Sequence, residues 1–177
     1  MNPVIRTATP EDVPVLRAVM EAAIAELQRG FLDAGTIEAS RAVMGLDTTL
    51  IADGTYYIVE CGGAVAGCGG WSRRATLFGG NHTTGRSDAL LDPQVDPARF
   101  RAMYTHPDFA RRGVGSRILA HSEAAARAEG FTSGVLMATL AGIPLYERCG
   151  WQRGEPYAAE TPDGRRVPML KMRKRLA

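Results

Sequence analysis

One stretch constrains this chain more than any other: Met103 to Glu129, MYTHPDFARRGVGSRILAHSEAAARAE. An apolar run, Phe100 to Thr105, stops at His106-Pro107. A short basic turn with two glycines follows, Ala110-Arg111-Arg112-Gly113-Val114-Gly115-Ser116. An alanine-rich segment then carries Val114, Ile118, Leu119, Ala125 and Ala126 on one side of a helical pattern. The order is strand, basic glycine turn, helix. It brings two arginines to a helix N-terminus, where the first backbone N–H groups lack partners and roughly half a positive charge resides. Such a terminus suits phosphate. Gly113 and Gly115 let a ligand reach the backbone where a Cβ would otherwise stand.

Three phosphate ligands compete for this turn. A Walker-type loop needs Gly-x4-Gly-Lys-Ser/Thr, and no such run occurs. A dinucleotide fingerprint needs Gly-x-Gly-x-x-Gly directly after a strand. Here Ile118 stands at the third glycine position, and the glycines come late, behind a proline. The third candidate is the pyrophosphate of coenzyme A. At this point the residues resemble the GNAT superfamily of acyl-CoA N-acyltransferases, whose signature Gln/Arg-x-x-Gly-x-Gly/Ala follows a strand ending in a Val-x-Pro-like turn. The matching run is Ala110-Arg111-Arg112-Gly113-Val114-Gly115, with Ala110 at the first position. Downstream, Leu145-Tyr146-Glu147-Arg148-Cys149-Gly150-Trp151 is similar to the family's Leu-Tyr-Glu-x-x-Gly-Phe element. The two motifs stand in the family's order, about 30 residues apart.

Composition limits the rest. A chain of 177 residues fits one domain, 1–177. Hydrophobic content of 45%, charge of 23% and net charge of +2 are those of a soluble globular protein with no strong field for nucleic acid. Cys61, Cys68 and Cys149 are odd in number and lack CxxC spacing, which argues against disulfides and a zinc site and for a reducing, cytoplasmic setting. The N-terminus lacks an apolar signal segment, and no run is long enough to span a membrane. The basic cluster at 165–175 reads as an edge strand with a solvated face, since Lys171, Arg173 and Arg175 alternate with apolar residues.

Taken in order, Val4-Ile5-Arg6 is a short strand, and Thr9-Pro10-Glu11-Asp12 opens a helix that Gly30 ends. A weaker helix covers Thr36 to Met44. Strands Thr55 to Cys61 and Ala64 to Trp71 flank a Gly62-Gly63 hairpin turn. Gly67, Gly69 and Gly70 predict a bulge or a close neighbour in the second of them. The polar stretch Arg73 to Pro97 is too long for a plain connection and reads as a lid, a dimer contact or disorder. After the strand Ala98 to Thr105 and its helix come a short strand, Gly134 to Ala138, and a short helix, Gly142 to Arg148. Gln152 to Tyr157 and Val167 to Lys174 close the chain as a hairpin. The order β-α-α-β-β-β-α-β-α-β-β predicts an α/β fold, a mixed, mostly antiparallel twisted sheet flanked by helices. It is also the element order of the GNAT fold.

The resemblance implies an enzyme, an N-acetyltransferase that moves an acetyl group from acetyl-CoA to a primary amine by direct attack on the thioester, with no metal. It implies binding of the cofactor's carbonyl and pantetheine by the backbone of Met103, Tyr104 and Thr105 and by Thr139, where relatives often have asparagine. It implies pyrophosphate contacts from Arg111, Arg112, Gly113, Val114, Gly115 and Ser116. Tyr146 falls where the family places a tyrosine that protonates the leaving thiolate; a phenol of pKa ~10 holds its proton at neutral pH. Relatives often carry a glutamate base on this strand, but Ala98 to Thr105 has no carboxylate. Glu60, His82 and His106 are the candidates elsewhere, and none is assigned. Glu26, Phe31, Asp33, Tyr56 and Trp71 are candidate walls of the acceptor pocket, where acids beside aromatics would suit a cationic amine. The expected partners are a small-molecule or protein amine and a second copy in a homodimer, with no nucleic acid and no membrane. The rival reading is a non-catalytic acyl-CoA-binding or sensor module of the same fold, which the missing carboxylate favours.

Overall fold

The structure, a computed structural model, describes residues 2–176. The elements are β1 (Val4–Thr7), α1 (Val13–Leu27), α2 (Ala34–Ser40), α3 (Thr48–Ala52), β2 (Tyr56–Cys61), β3 (Ala64–Ser72) and β4 (Ala98–Thr105). They continue with α4 (Val114–Ala128), β5 (Ser133–Thr139), α5 (Ile143–Arg148), β6 (Gln152–Glu160) and β7 (Arg166–Arg175). The strands form one mixed sheet of order β1-β2-β3-β4-β5-β7-β6. Each neighbouring pair is antiparallel except β4 and β5, which run parallel. This is the expected α/β architecture, with α3 as an element the sequence reading did not anticipate.

Both faces of the sheet are covered. Helix α1 lays Leu16, Val19, Ala23 and Ile24 on Tyr56, Ile58, Cys68 and Tyr104. Helix α4 lays Val114 and Ile118 on Val59 and Ala66, and Leu119 and Ala126 into a second cluster with Trp71, Phe100 and Trp151. Strand β2 therefore buries four consecutive residues, Tyr56 to Val59. A strand covered on both faces reads as a continuous apolar run rather than an alternation. The glycines of β3 show why they are glycines. A Cβ on Gly67 would meet Val114 Cγ1 at 2.6 Å, and one on Gly69 would meet Ile118 Cγ2 at 3.0 Å. Helix α4 can sit this close only over bare backbone, and β3 also shifts register against β4 between Cys68 and Gly70.

Two expectations are corrected. The helix read over Thr36 to Met44 runs from Ala34 to Ser40, because Asp33 caps it by accepting from Thr36 N–H. The basic strand β7 is not the sheet edge. It lies between β5 and β6, so β6 is the edge and β7's apolar side chains Val167, Met169, Leu170 and Met172 are buried. The alternation was real, but it reported the two faces of an inner strand.

The long segment between β3 and β4 folds back on the protein. Arg74 donates to both Asp53 carboxylate oxygens, at 2.7 and 3.0 Å. Thr76 and Ser87 bond reciprocally, and Asn81 N–H donates to Leu46 O at 3.1 Å. The segment is thus a packed wall against the link between α2 and α3. No described helix is long and apolar enough to cross a membrane.

Candidate active site

The site begins with a strand that cannot stay flat. Strands β4 and β5 pair only from Ala98↔Gly134 to Phe100↔Leu136. Beyond that, β5 keeps its other partner, β7, as far as Thr139↔Met169. Strand β4 turns away at Ala102, a non-glycine residue with φ of 52°. Such a conformation costs an L-residue energy and persists only where the surroundings hold it. Here the Tyr56 hydroxyl donates to Ala102 O at 2.5 Å, from a fully buried ring. The result is a wedge between two parallel strands, with the β4 edge from Arg101 to Thr105 released from its ladder.

A cleft of about 620 Å³ runs through this wedge. Met103, Tyr104 and Thr105 form one wall, and Thr139, Gly142 and Tyr146 another. Arg111, Gly113, Val114, Gly115 and Ser116 form its floor at the start of α4. Arg111 and Gly113 have φ of 61° and 79°, and α4 has no side-chain cap. The turn thereby presents backbone N–H groups and the helix's positive end without a side chain in front of them. Arg112 departs from the expectation. It is not among the lining residues, and its guanidinium rests over the Phe109 ring, 5.7 Å from the centroid.

Tyr146 stands on α5, opposite β4. Its hydroxyl lies 4.0 Å from Met103 Sδ. Burial first, and the neighbouring Cys149 second, push its pKa up to about 12. The phenol is therefore a donor throughout the neutral range. The short helix is anchored by Lys174, which donates to Cys149 O at 2.6 Å and to Glu123 at 2.9 Å. Glu123, buried on α4, also accepts from Trp151 Nε1 at 3.0 Å. These three residues tie α4, α5 and β7 together around the tyrosine. Their partnership was invisible in the sequence because the three residues stand far apart in the chain and no local pattern pairs them.

The base candidates lie elsewhere. Glu60 accepts from Arg6 Nε at 2.9 Å at the β1–β2 junction. His82 Nε2 bonds Arg41 O at 2.8 Å. His106 Nδ1 accepts from Asp108 N–H at 3.1 Å, fixing the turn after β4. None of the three lines the cleft. Of the acceptor-wall candidates only Phe31 does, half exposed at the end of α1. Tyr56 and Trp71 are corrected to core residues, at 0% and 1% exposure. Glu26 pairs with Arg29, and Asp33 caps α2, so neither brings an acid into the cleft.

A second, smaller cavity of about 80 Å³ lies behind β4. Leu77, Phe78 and Gly79 of the long segment close it, and Val43, Met137 and Met169 add apolar walls. Met44, Met103, Tyr104, Thr139 and Tyr146 border both spaces. Its charged member is Arg101, buried together with Asp47, and Tyr104, Thr139 and Tyr146 add hydroxyl-bearing residues. Arg101 Nη2 donates to Asp47 Oδ2 at 3.0 Å and to Gly79 O at 2.8 Å. Arg86 donates to the other Asp47 oxygen at 3.0 Å. Desolvation would raise the Asp47 pKa, but the Arg86 hydrogen bond, the Arg101 charge and the Thr49 N–H outweigh it and leave the carboxyl lowered. Arg101 stood in plain view in the β4 run. Its inward direction follows from the Ala102 bulge, which no sequence pattern marked.

Comparison with known proteins locates the chain. The family profile described as an acetyltransferase (GNAT) domain matches residues 52–153. No curated protein matches the sequence. Among solved structures, the GCN5-related N-acetyltransferase from Rhodopseudomonas palustris is 22% identical, with a TM-score of 0.73 over 99% of this chain and 96% of that one. The PaiA N-acetyltransferase from Thermoplasma acidophilum, in complex with coenzyme A, is 12% identical, with a TM-score of 0.63 over 99% of each chain. The ribosomal-protein-alanine N-acetyltransferase from Brucella melitensis is 18% identical, with a TM-score of 0.62 over 97% of this chain and 99% of that one. At these identities the structures establish a shared fold.

Proposed function

This chain belongs to the GNAT family of acetyltransferase domains, and from that premise we propose that it transfers an acetyl group from acetyl-CoA to a primary amine. The observation that carries the reading is the position of Tyr146, a phenol kept protonated at the mouth of the β4–β5 wedge. The cleft fits the cofactor. The α4 turn offers backbone donors to a pyrophosphate, the wedge accepts an extended arm, and the freed β4 edge at Met103 to Thr105 offers N–H groups to a carbonyl. Arg111 adds charge at the turn, and the Thr139 hydroxyl borders the arm's path.

The step is a direct displacement. The neutral amine attacks the thioester carbon; an N–C bond forms and the C–S bond breaks. The amine releases its proton to solvent, and the departing thiolate takes the Tyr146 proton, which water later replaces. Among the described residues no carboxylate or imidazole lines either space, and in this reading the amine enters already neutral.

The test is calorimetric titration with acetyl-CoA, with NAD and ATP as competitors, followed by turnover over a panel of amines. Micromolar binding of acetyl-CoA alone is expected. A general acid contributes about 10²–10⁴-fold, so Tyr146→Phe should lower kcat at least about tenfold and leave cofactor affinity unchanged. Binding without turnover, indifferent to Tyr146→Phe, would select the sensor reading instead.

A further inference from the structure

The cleft passes from one face of the sheet to the other. Helix α4 packs on Val59 and α1 on Ile58, and successive strand residues point to opposite faces. In the acetyl-transfer reading the cofactor's phosphates take the α4 side and its arm takes the wedge. One stretch of the lining is then left without a use: Ala23, Ile24, Leu27 and Gln28 of α1, Phe31 just after it, and Met44 before α3. It lies on the α1 face, the side from which a second substrate can meet the thioester.

These residues have apolar surface to offer. Leu27 and Met44 are half-buried and Phe31 is 50% exposed, while Ala23 and Ile24 form a buried backing. Gln28 is turned to the protein: its amide nitrogen donates to Ser40 Oγ at 3.1 Å, and its amide oxygen is enclosed.

Charge at this end is already engaged. Each of the four carboxylates between Val13 and Met44 pairs with an arginine. Glu21 meets Arg41, Glu26 meets Arg29 at 3.1 Å, Asp33 meets Arg165 at 3.5 Å, and Glu38 meets Arg41 at 3.0 Å. The charged residues that do line the cleft are Arg111, at the α4 turn, and Arg148, on α5. A second ammonium on the acceptor would face Leu27, Phe31 and Met44 with no free carboxylate, and a carboxylate would face the same side chains. Burying either charge without a partner is costly, whereas burying methylenes is favourable.

Building on the acetyl-transfer reading, we infer that the acceptor is a primary amine whose remaining body is uncharged and apolar, and that this body packs against Leu27, Phe31 and Met44. A flexible thioether beside a half-exposed ring adapts to more than one outline, so the class is set by the lack of a second charge.

The experiment is an acetyl-transfer assay on the intact protein, with acetyl-CoA binding measured alongside by calorimetry. The acceptors are n-hexylamine, 1,6-diaminohexane and 6-aminohexanoate, which share a chain length and differ at the far end alone. Rates are compared per neutral amine at about pH 9, where an amine of pKa ~10.4 is about 4% neutral and Tyr146 keeps its proton. n-Hexylamine should exceed both charged analogues in kcat/KM by at least about thirtyfold. Phe31→Glu places a carboxylate at the apolar end, at a half-exposed position outside the core. It should bring 1,6-diaminohexane level with n-hexylamine and leave acetyl-CoA affinity unchanged. Equal or better use of either charged analogue by the unaltered protein would overturn the inference, as would no turnover of n-hexylamine while acetyl-CoA binds. So would a Phe31→Glu variant with the original preference, or one that no longer binds acetyl-CoA, since the apolar end would then belong to the cofactor. Failure of acetyl-CoA to bind the unaltered protein would overturn the acetyl-transfer reading, and this inference with it.

Discussion

The two sides of the cleft are built by opposite means. The α4 side is made of backbone: a turn with Arg111 and Gly113 at positive φ, an uncapped helix start, and glycines on β3 that let the helix come close. The side behind β4 is made of side chains. Val43, Phe78, Arg101 and Met169 come from segments far apart in the chain, and the buried Arg101–Asp47 pair, joined by Arg86, ties β4 to the link before α3. A backbone site tolerates changes in side chain but not in φ. A side-chain site is as specific as its packing, and it fails when one partner is removed. Where the ligand is a constant pyrophosphate the first design suffices; where the acceptor must be told from other amines, the second is needed.

The largest expected effect falls on the side-chain wall. Asp47→Ala would leave Arg101 buried and uncompensated, and breaking a buried pair costs about 3–5 kcal/mol. Urea unfolding should show that loss, and limited proteolysis should cut the 73–97 segment early. Since the folded carboxyl titrates below its ordinary value, its stabilisation is complete above about pH 4 and fades as pH falls through the lowered pKa. The variant should lose that acid sensitivity. An unchanged unfolding midpoint would mean that side chains do not hold this wall.

On the backbone wall, Gly113→Val forces a β-branched residue into φ of 79°. Left-handed strain of about 1–2 kcal/mol should weaken acetyl-CoA binding about tenfold or more in calorimetry. Arg112→Ala removes a guanidinium that rests on Phe109, an exposed contact worth about 0.5–1 kcal/mol, so affinity should change less than about threefold. The reverse ranking would make this a side-chain site after all.

The smallest effect is a shape. Tyr146, with its pKa pushed up to about 12, stays protonated as pH rises, so kcat should show no alkaline loss up to about pH 10. The acid limb should follow the acceptor amine's own pKa, moving when one amine is exchanged for another. A limb that stays fixed across acceptors would reveal a base on the protein.

What was legible in the sequence follows the same division. The strand, basic glycine turn and helix from Ala98 to Ala128 could be read because their signals are local: a proline-ended strand, two glycines, an amphipathic period. The Gly62-Gly63 hairpin was equally local, with φ of 60° and 83°. Strand β7 was identified as a strand but placed at the edge, because alternation reports two faces and not the number of neighbours. Tyr56 and Trp71 were given to the acceptor pocket on residue type, yet burial made them core. Arg101 was passed over inside an apolar run, since the bulge at Ala102 that sets its surroundings depends on a hydroxyl 46 residues away.

By itself, then, the sequence determined the element order apart from α3, the α4 turn with its free N–H groups and the position of Tyr146 on a short helix. These rest on interactions within a few residues, where dihedral preference and capping decide. The tertiary structure alone decided the splay of β4 from β5, the rise in the Tyr146 pKa, the burial of Arg101 with Asp47 and the closing of the small cavity by the 73–97 segment. Each depends on groups brought together across the chain, where burial and the pairing of polar atoms set the energy and no local pattern records the outcome.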